Sequence, residues 1–179
     1  QAIGIIGGRS WESTGLYYRL LNERVRDQDL ADAYRQPVVL LHSIDFAELV
    51  PLQQAGDWAA AGAVLATAAE GLVASGAGVI GIAANTMHIV APAVAAVLPK
   101  DVPLVHLVDA TAEVCVAGGF TSVGLLGTAY TMEAPFYADG LRAHGLEVRT
   151  PSPEDRAEVH RIVYDELVRG VVAETSRRT

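Results

Sequence analysis

At 179 residues, with 51% apolar and 19% charged side chains, the chain has ample material for a core, which excludes a disordered tail or linker. A net charge of -8 with no cluster of Lys or Arg argues against nucleic acid and anionic membrane surfaces as partners. Cys115 is the single cysteine, which excludes an internal disulfide and a cysteine-built zinc site and makes a reducing cytoplasm the expected compartment.

The opening QAIGIIGGRSW carries neither the basic start nor the hydrophobic core of a signal peptide, so no leader is expected. Ile3 to Ile6 reads as a short strand running into Gly7 and Gly8, a pair that permits a tight turn and close backbone approach. Ser10 can cap the following helix, in which Leu16, Tyr17, Leu20, Leu21 and Val25 recur at helical spacing. The match to a phosphate loop is faint, because neither G-x-G-x-x-G nor a GK[ST] ending is present. What remains is a helix start that favours an anion such as a ligand carboxylate. Arg9 either adds a charge-assisted bond there or stands solvated on the surface.

Pro37 to His42 predicts the second strand, followed by Ser43, Ile44 and Asp45. Gln53, Gln54, Gly56, Asp57 and Trp58 are expected to open a helix that runs to about Ala74. The stretch from Gly71 to Leu98 is long and almost uncharged, yet Gly76, Gly78, Gly81, Asn85, His88 and Pro92 interrupt it. A membrane span needs about 20 strongly apolar residues in a row, so none is expected.

Within that stretch, Gly78 to His88 reads GVIGIAANTMH. Val79, Ile80, Ile82 and Ala83 make the kind of apolar run that is buried on both faces of a parallel sheet. It stops at the polar step Ala84, Asn85, Thr86, Met87, His88. Open α/β sheets bind ligands in the crevice at the carboxyl ends of their strands. Asn85 and Thr86 therefore offer an amide, a hydroxyl and backbone N–H groups to a small polar ligand. The same two residues could equally turn the chain and cap a helix.

After Pro99 and Pro103, Leu104 to Val108 predicts another strand. The helix from Thr111 to Ala117 carries Cys115 on its apolar side, as a buried and inert thiol. The pattern then restarts: Val123 to Leu126, Gly127 and Thr128 repeat Ile3 to Ile6, Gly7 and Gly8, and TAYTME stands where GGRSWE stood. Leu146, Val148 and Thr150 supply a further strand. Asp155 to Val168 predicts an amphipathic helix with Val159, Ile162, Val163 and Leu167 on one side. Strands alternating with helices predict an α/β fold of two pseudo-symmetric, doubly wound parallel-sheet lobes, residues 1–100 and 101–179. A second copy as long as the first would place its counterpart of the Gly78 strand past Thr179, so the second lobe is expected to be incomplete. Its exposed sheet edge and apolar face would need a dimer partner or a further segment to cover them.

GGRSWEST, LHSIDF, LQQAGDW, ANTMH, HLVDAT, LLGTAYTMEAPFY and DRAEVHRIVYDEL, in that order along the chain, resemble the aspartate/glutamate racemase family. The nearest branch is that of the broad-specificity amino-acid racemases. The resemblance implies an isomerase that needs no pyridoxal phosphate or other cofactor and no metal, acts on a small amino acid and forms a homodimer. One acid/base group from each lobe flanks the substrate Cα: one removes the α-proton while the other delivers a proton to the opposite face. In such relatives two cysteines commonly serve, one directly before the Asn-Thr pair and one in a G-C-T-E segment of the second lobe. Here Ala84 holds the first position, where a methyl group cannot carry a proton, and no G-C-T-E segment occurs in the 179 residues.

The resemblance further implies that Asn85 and Thr86 bind the substrate α-carboxylate and that Thr128 and Thr131 do so from the mirrored turn. Arg9, Ser10 and Gln53 would face the substrate side chain. His88 and His160 are the remaining proton carriers to consider, although a histidine in a helix often only packs. Ala84 opens two other readings: a one-base lyase or isomerase akin to the arylmalonate decarboxylases, and a non-catalytic relative that binds a small carboxylate.

Overall fold

β1 (Ala2–Gly7) is central to the first sheet, because its apolar residues accept cover on both faces. It pairs in parallel with β2 (Val39–Ser43), Ile5 lying opposite Leu41, and with β3 (Ala77–Ile82), Ile5 lying opposite Gly81. β4 (Leu104–Val105) adds beyond β3 and gives the order β2-β1-β3-β4. The computed structural model describes residues 1–8, 10–28 and 34–178.

Parallel neighbours need crossover connections. Here α1 (Trp11–Gln28) joins β1 to β2, α2 (Phe46–Ala55) and α3 (Trp58–Ala74) join β2 to β3, and α4 (Ala91–Val97) precedes β4. The chain thus leaves β1 in one direction and returns in the other, which puts the crevice of a switch point at the carboxyl ends of β1 and β3. Leu65 and Leu72 of α3 meet Ile80, Ile82, Leu49 and Val94 in a closed apolar core. Each such side chain contributes about 1.5–3 kcal/mol by leaving water.

α2 was not expected from the sequence, and it relocates Gln53 from the start of a helix to the last turn of one. Local chemistry accounts for it: the Asp45 carboxylate accepts the Ala47 N–H at 2.9 Å to start α2, and Gly56, at φ 69°, closes it. Asp57 then starts α3 by accepting the Ala60 N–H.

The chain divides into units Gln1–His106 and Leu107–Thr179, and β4, which pairs with β3, belongs to the first sheet. In the second unit, β5 (Ser122–Gly124) pairs in parallel with β6 (Glu147–Arg149). α5 (Leu107–Ala117) and α7 (Pro135–Ala143) enclose Val108, Ala112, Tyr137, Leu141 and Leu146 with Leu125. Cys115 packs against this core but is only half-buried, contrary to the expectation of a fully enclosed thiol. Among the described residues β5 has β6 as its single strand partner, and Val114, Phe120 and Leu126 stand exposed.

The helix expected over Asp155 to Val168 is α8 (Pro153–Arg161), continued by a wide π turn at Ile162–Glu166 and a 3-10 turn at Leu167–Arg169. The widening brings Arg161 onto Glu166, five residues on, at 3.0 Å. No helix among the described residues is long and apolar enough to cross a membrane.

Candidate functional site

β3 delivers the chain to a turn whose carbonyls are held one after another. The Ala83 N–H donates to the Ile6 carbonyl at 2.8 Å, which prolongs the ladder one step beyond the strand. The Ala83 carbonyl accepts from the Ser13 hydroxyl at 3.2 Å, and the Ala84 carbonyl accepts from His88 Nδ1 at 2.9 Å. The Asn85 carbonyl accepts the His88 backbone N–H at 3.1 Å, in the 3-10 turn Thr86–Val90. In a trans peptide the C=O of one residue and the N–H of the next point in opposite directions. Fixing the carbonyls of residues 83 to 85 therefore also fixes the directions of the next three N–H groups, those of Ala84, Asn85 and Thr86.

Asn85 stands exposed at this turn, whereas Thr86, Met87 and His88 are buried beneath it. Gln53 is also buried, and its amide N–H reaches Met87 Sδ at 2.8 Å, so it props the turn from below. Ala84 is half-buried and borders a small apolar void of about 10 Å³ shared with Ile6, Ile44, Leu49, Ile82 and Met87.

The adjoining turn after β1 is built to the same standard. Gly8 has φ 101°, and a Cβ there would overlap the Ile44 backbone, so this position requires glycine. Its N–H donates to Thr14 Oγ1 at 3.2 Å, while the Thr14 hydroxyl donates to the Ser10 carbonyl at 3.0 Å. The Ser10 hydroxyl accepts the Ser13 N–H at 3.2 Å and donates to Glu12, which makes it the helix cap. Arg9 lies outside the described residues. Ser13 and Thr14 join the turn although the sequence alone assigns neither of them a role. The available signal was a pair of hydroxyls in the first helical turn after a double glycine.

In the second unit Thr128 and Thr131 are both buried, with their hydroxyl oxygens 3.3 Å apart. Thr128 leads into α6 (Ala129–Glu133), whose first N–H, that of Ala129, donates to His160 Nδ1 at 3.0 Å. The His160 ring lies between Tyr130 and Tyr164, at centroid distances of 5.9 and 4.6 Å. The structure thus gathers Ser10, Gln53, Ala84, Asn85, Thr86 and His88 in the first unit, and Thr128, Thr131 and His160 in the second. Among the described residues no group of three or more His, Cys, Asp or Glu side chains could hold a metal ion.

The sequence profile of the Asp/Glu/hydantoin racemases matches residues 6–179. The chain belongs to this family. Its α/β fold with parallel sheets is that of solved Asp/Glu racemase structures. A candidate Asp/Glu racemase from Yersinia pestis is 45% identical, with a TM-score of 0.87 over 99% of this chain and 76% of the other. An aspartate racemase homologue from Pyrococcus horikoshii OT3 is 38% identical, with a TM-score of 0.77 over 95% of this chain and 73% of the other. The aspartate racemase of Picrophilus torridus shares the fold at 23% identity, with a TM-score of 0.66 over 95% and 72% of the two chains. The named neighbours of this family member are thus racemases or their homologues, a class of isomerases.

Proposed function

We propose that the chain acts at the Cα of an aspartate- or glutamate-like amino acid, as a racemase that transfers protons between two bases without pyridoxal phosphate or another cofactor. The observation that carries this reading is the turn at residues 83–88, whose successive carbonyls are held so that the N–H groups after them keep fixed directions. Preorganised donors of this kind suit a carboxylate in the ground state and the enolate-like charge that develops when the α-proton leaves. Asn85 and Thr86 in the first unit, and Thr128 and Thr131 in the second, are the residues assigned to the substrate α-carboxylate. Ser10, Gln53 and Arg9 set the choice of side chain. The protein works as a cytoplasmic homodimer.

Ala84 favours a second reading. A methyl group neither takes nor delivers a proton, so this turn supplies no acid/base group at the position where the family resemblance puts a cysteine. On that reading the chain is a one-base relative, or a non-catalytic one that keeps the carboxylate site.

One experiment separates the two. L-Aspartate and L-glutamate are incubated in D2O with the protein and with Ala84→Cys, and deuterium at Cα is followed by NMR. Exchange by the unmodified protein with formation of the D-enantiomer supports the racemase, whereas exchange with the L-configuration kept supports the one-base relative. Binding without exchange, with exchange gained in Ala84→Cys, supports the carboxylate-binding relative. Absence of both binding and exchange in either protein rejects both readings.

A further inference from the structure

His88 is only 2% exposed, and its ring is held from two sides. Nδ1 lies 2.9 Å from the Ala84 carbonyl oxygen, four residues back. A carbonyl oxygen only accepts, so Nδ1 carries the hydrogen in this contact. The His106 ring meets it edge to face, at a centroid distance of 4.8 Å and an interplanar angle of 82°. The backbone N–H of His88 donates to the Asn85 carbonyl at 3.1 Å. His88 therefore grips two consecutive peptide groups, Ala84–Asn85 with its side chain and Asn85–Thr86 with its main chain. A ring spent on its own turn is poorly placed to shuttle protons, yet well placed to aim that turn.

We propose that His88 is a positioning residue: its Nδ1–H fixes the Ala84–Asn85 peptide plane and so sets the direction in which the Asn85 N–H faces a bound carboxylate. The role rests on the carboxylate-binding reading given above. It concerns how the site is held and assigns no proton transfer to His88. The donor must sit at the δ position, because the contact reaches back along the residue's own turn.

Three variants separate the donor from the volume. His88→Asn keeps an N–H close to where Nδ1 stood, His88→Gln moves it one bond outward, and His88→Leu fills space without a donor. Each is titrated with L-aspartate by 1H–15N NMR, with thermal denaturation recorded alongside. Affinity should fall about tenfold in His88→Leu and His88→Gln, the equivalent of about one hydrogen bond, and stay within about threefold of the unmodified protein in His88→Asn. Equal affinity in all four proteins, or losses that follow thermal stability alone, would overturn the proposal.

Two readouts do not depend on ligand. Long-range 1H–15N spectra of the imidazole should show His88 protonated at Nδ1 and not at Nε2. The Asn85 amide order parameter should fall in His88→Leu and recover in His88→Asn. If aspartate binds none of the proteins, the carboxylate reading fails. The positioning proposal then stands or falls on the tautomer and on that order parameter, and an Nε2–H tautomer or an unchanged Asn85 amide sinks it.

Discussion

The Ser13 hydroxyl donates to the Ala83 carbonyl at 3.2 Å, which ties the first turn of α1 to the end of β3 across 70 positions of sequence. The contact joins the two turns that flank the crevice, so it bears on the shape of the site as well as on stability. Ser13→Ala removes the donor and leaves the Ala83 carbonyl with one partner fewer. The expected cost is about 1 kcal/mol, read as a lower urea midpoint with an unchanged denaturant slope. Amide resonances of Ala84 and Asn85 should shift in the same variant, and Ser13→Thr should recover most of both effects. An unmoved midpoint together with unmoved resonances would show that the contact carries nothing.

A second prediction concerns the packing of the second unit. Gly140 lies on α7 where it crosses α5, and a Cβ built there comes within 2.7 Å of Cγ1 of the fully buried Val108. Overpacking of this kind costs about 1–3 kcal/mol when the neighbour cannot move away. Gly140→Ala should therefore lower the melting temperature despite the better helix propensity of alanine. Val108→Ala should lower it too, by opening a cavity. Combined, the two should cost clearly less than their sum, because the lost valine methyls make room for the new one. Additive losses in a double-mutant cycle by thermal denaturation would contradict this account of the α5–α7 contact.

How much of this was legible in the sequence follows from the range of the interactions concerned. The strands Ile3 to Ile6 and Val79 to Ile82 announce themselves through apolar runs, and the polar step at Asn85-Thr86 marks where the crevice opens. These signals are local. α2 was not foreseen because PLQQAG breaks the apolar periodicity and Pro51 sits inside the helix, although Asp45 and Gly56 bracket it with ordinary cap chemistry. A boundary beside β4 is hard to place from sequence, because β4 is two residues long and declares its allegiance only by pairing with β3. Gln53 could be assigned to the site region, but not to a place beneath Met87, since that contact spans 34 positions. The Ser13 and Thr14 hydroxyls look like an unremarkable helix surface until β3 and the Gly8 turn are set beside them. His88 was the closest to legible: a histidine four residues after Ala84, in the turn that follows an apolar strand, can reach back to its own turn, a spacing that favours holding over proton transfer.

The last prediction is a pH dependence. Tyr137 sits in the core of the second unit, where burial holds its phenol above the ordinary value of 10.0; the hydrogen bond with Thr111 opposes that shift, and the charge of Cys115 adds to it. The neutral form is thus favoured in the folded chain. The sign follows from linkage: above pH 10.0 the unfolded chain releases this proton while the folded chain keeps it, so unfolding becomes easier. The stability tied to the neutral phenol is complete below the unfolded value and is lost as pH rises through the raised folded value. Tyr137→Phe removes both the hydrogen bond and this titration. At pH 8 the variant should be less stable by about 1 kcal/mol, the worth of one hydrogen bond. As pH rises past 10.0 the gap should narrow, because the unmodified protein loses the stability tied to the neutral phenol while Tyr137→Phe has no such phenol to titrate. Urea midpoints at pH 8, 10 and 11 measure the gap directly. A constant difference across that series would mean that burial does not raise the Tyr137 phenol, and that its environment in the α5–α7 core is wetter than the packing of Val108 and Leu141 describes.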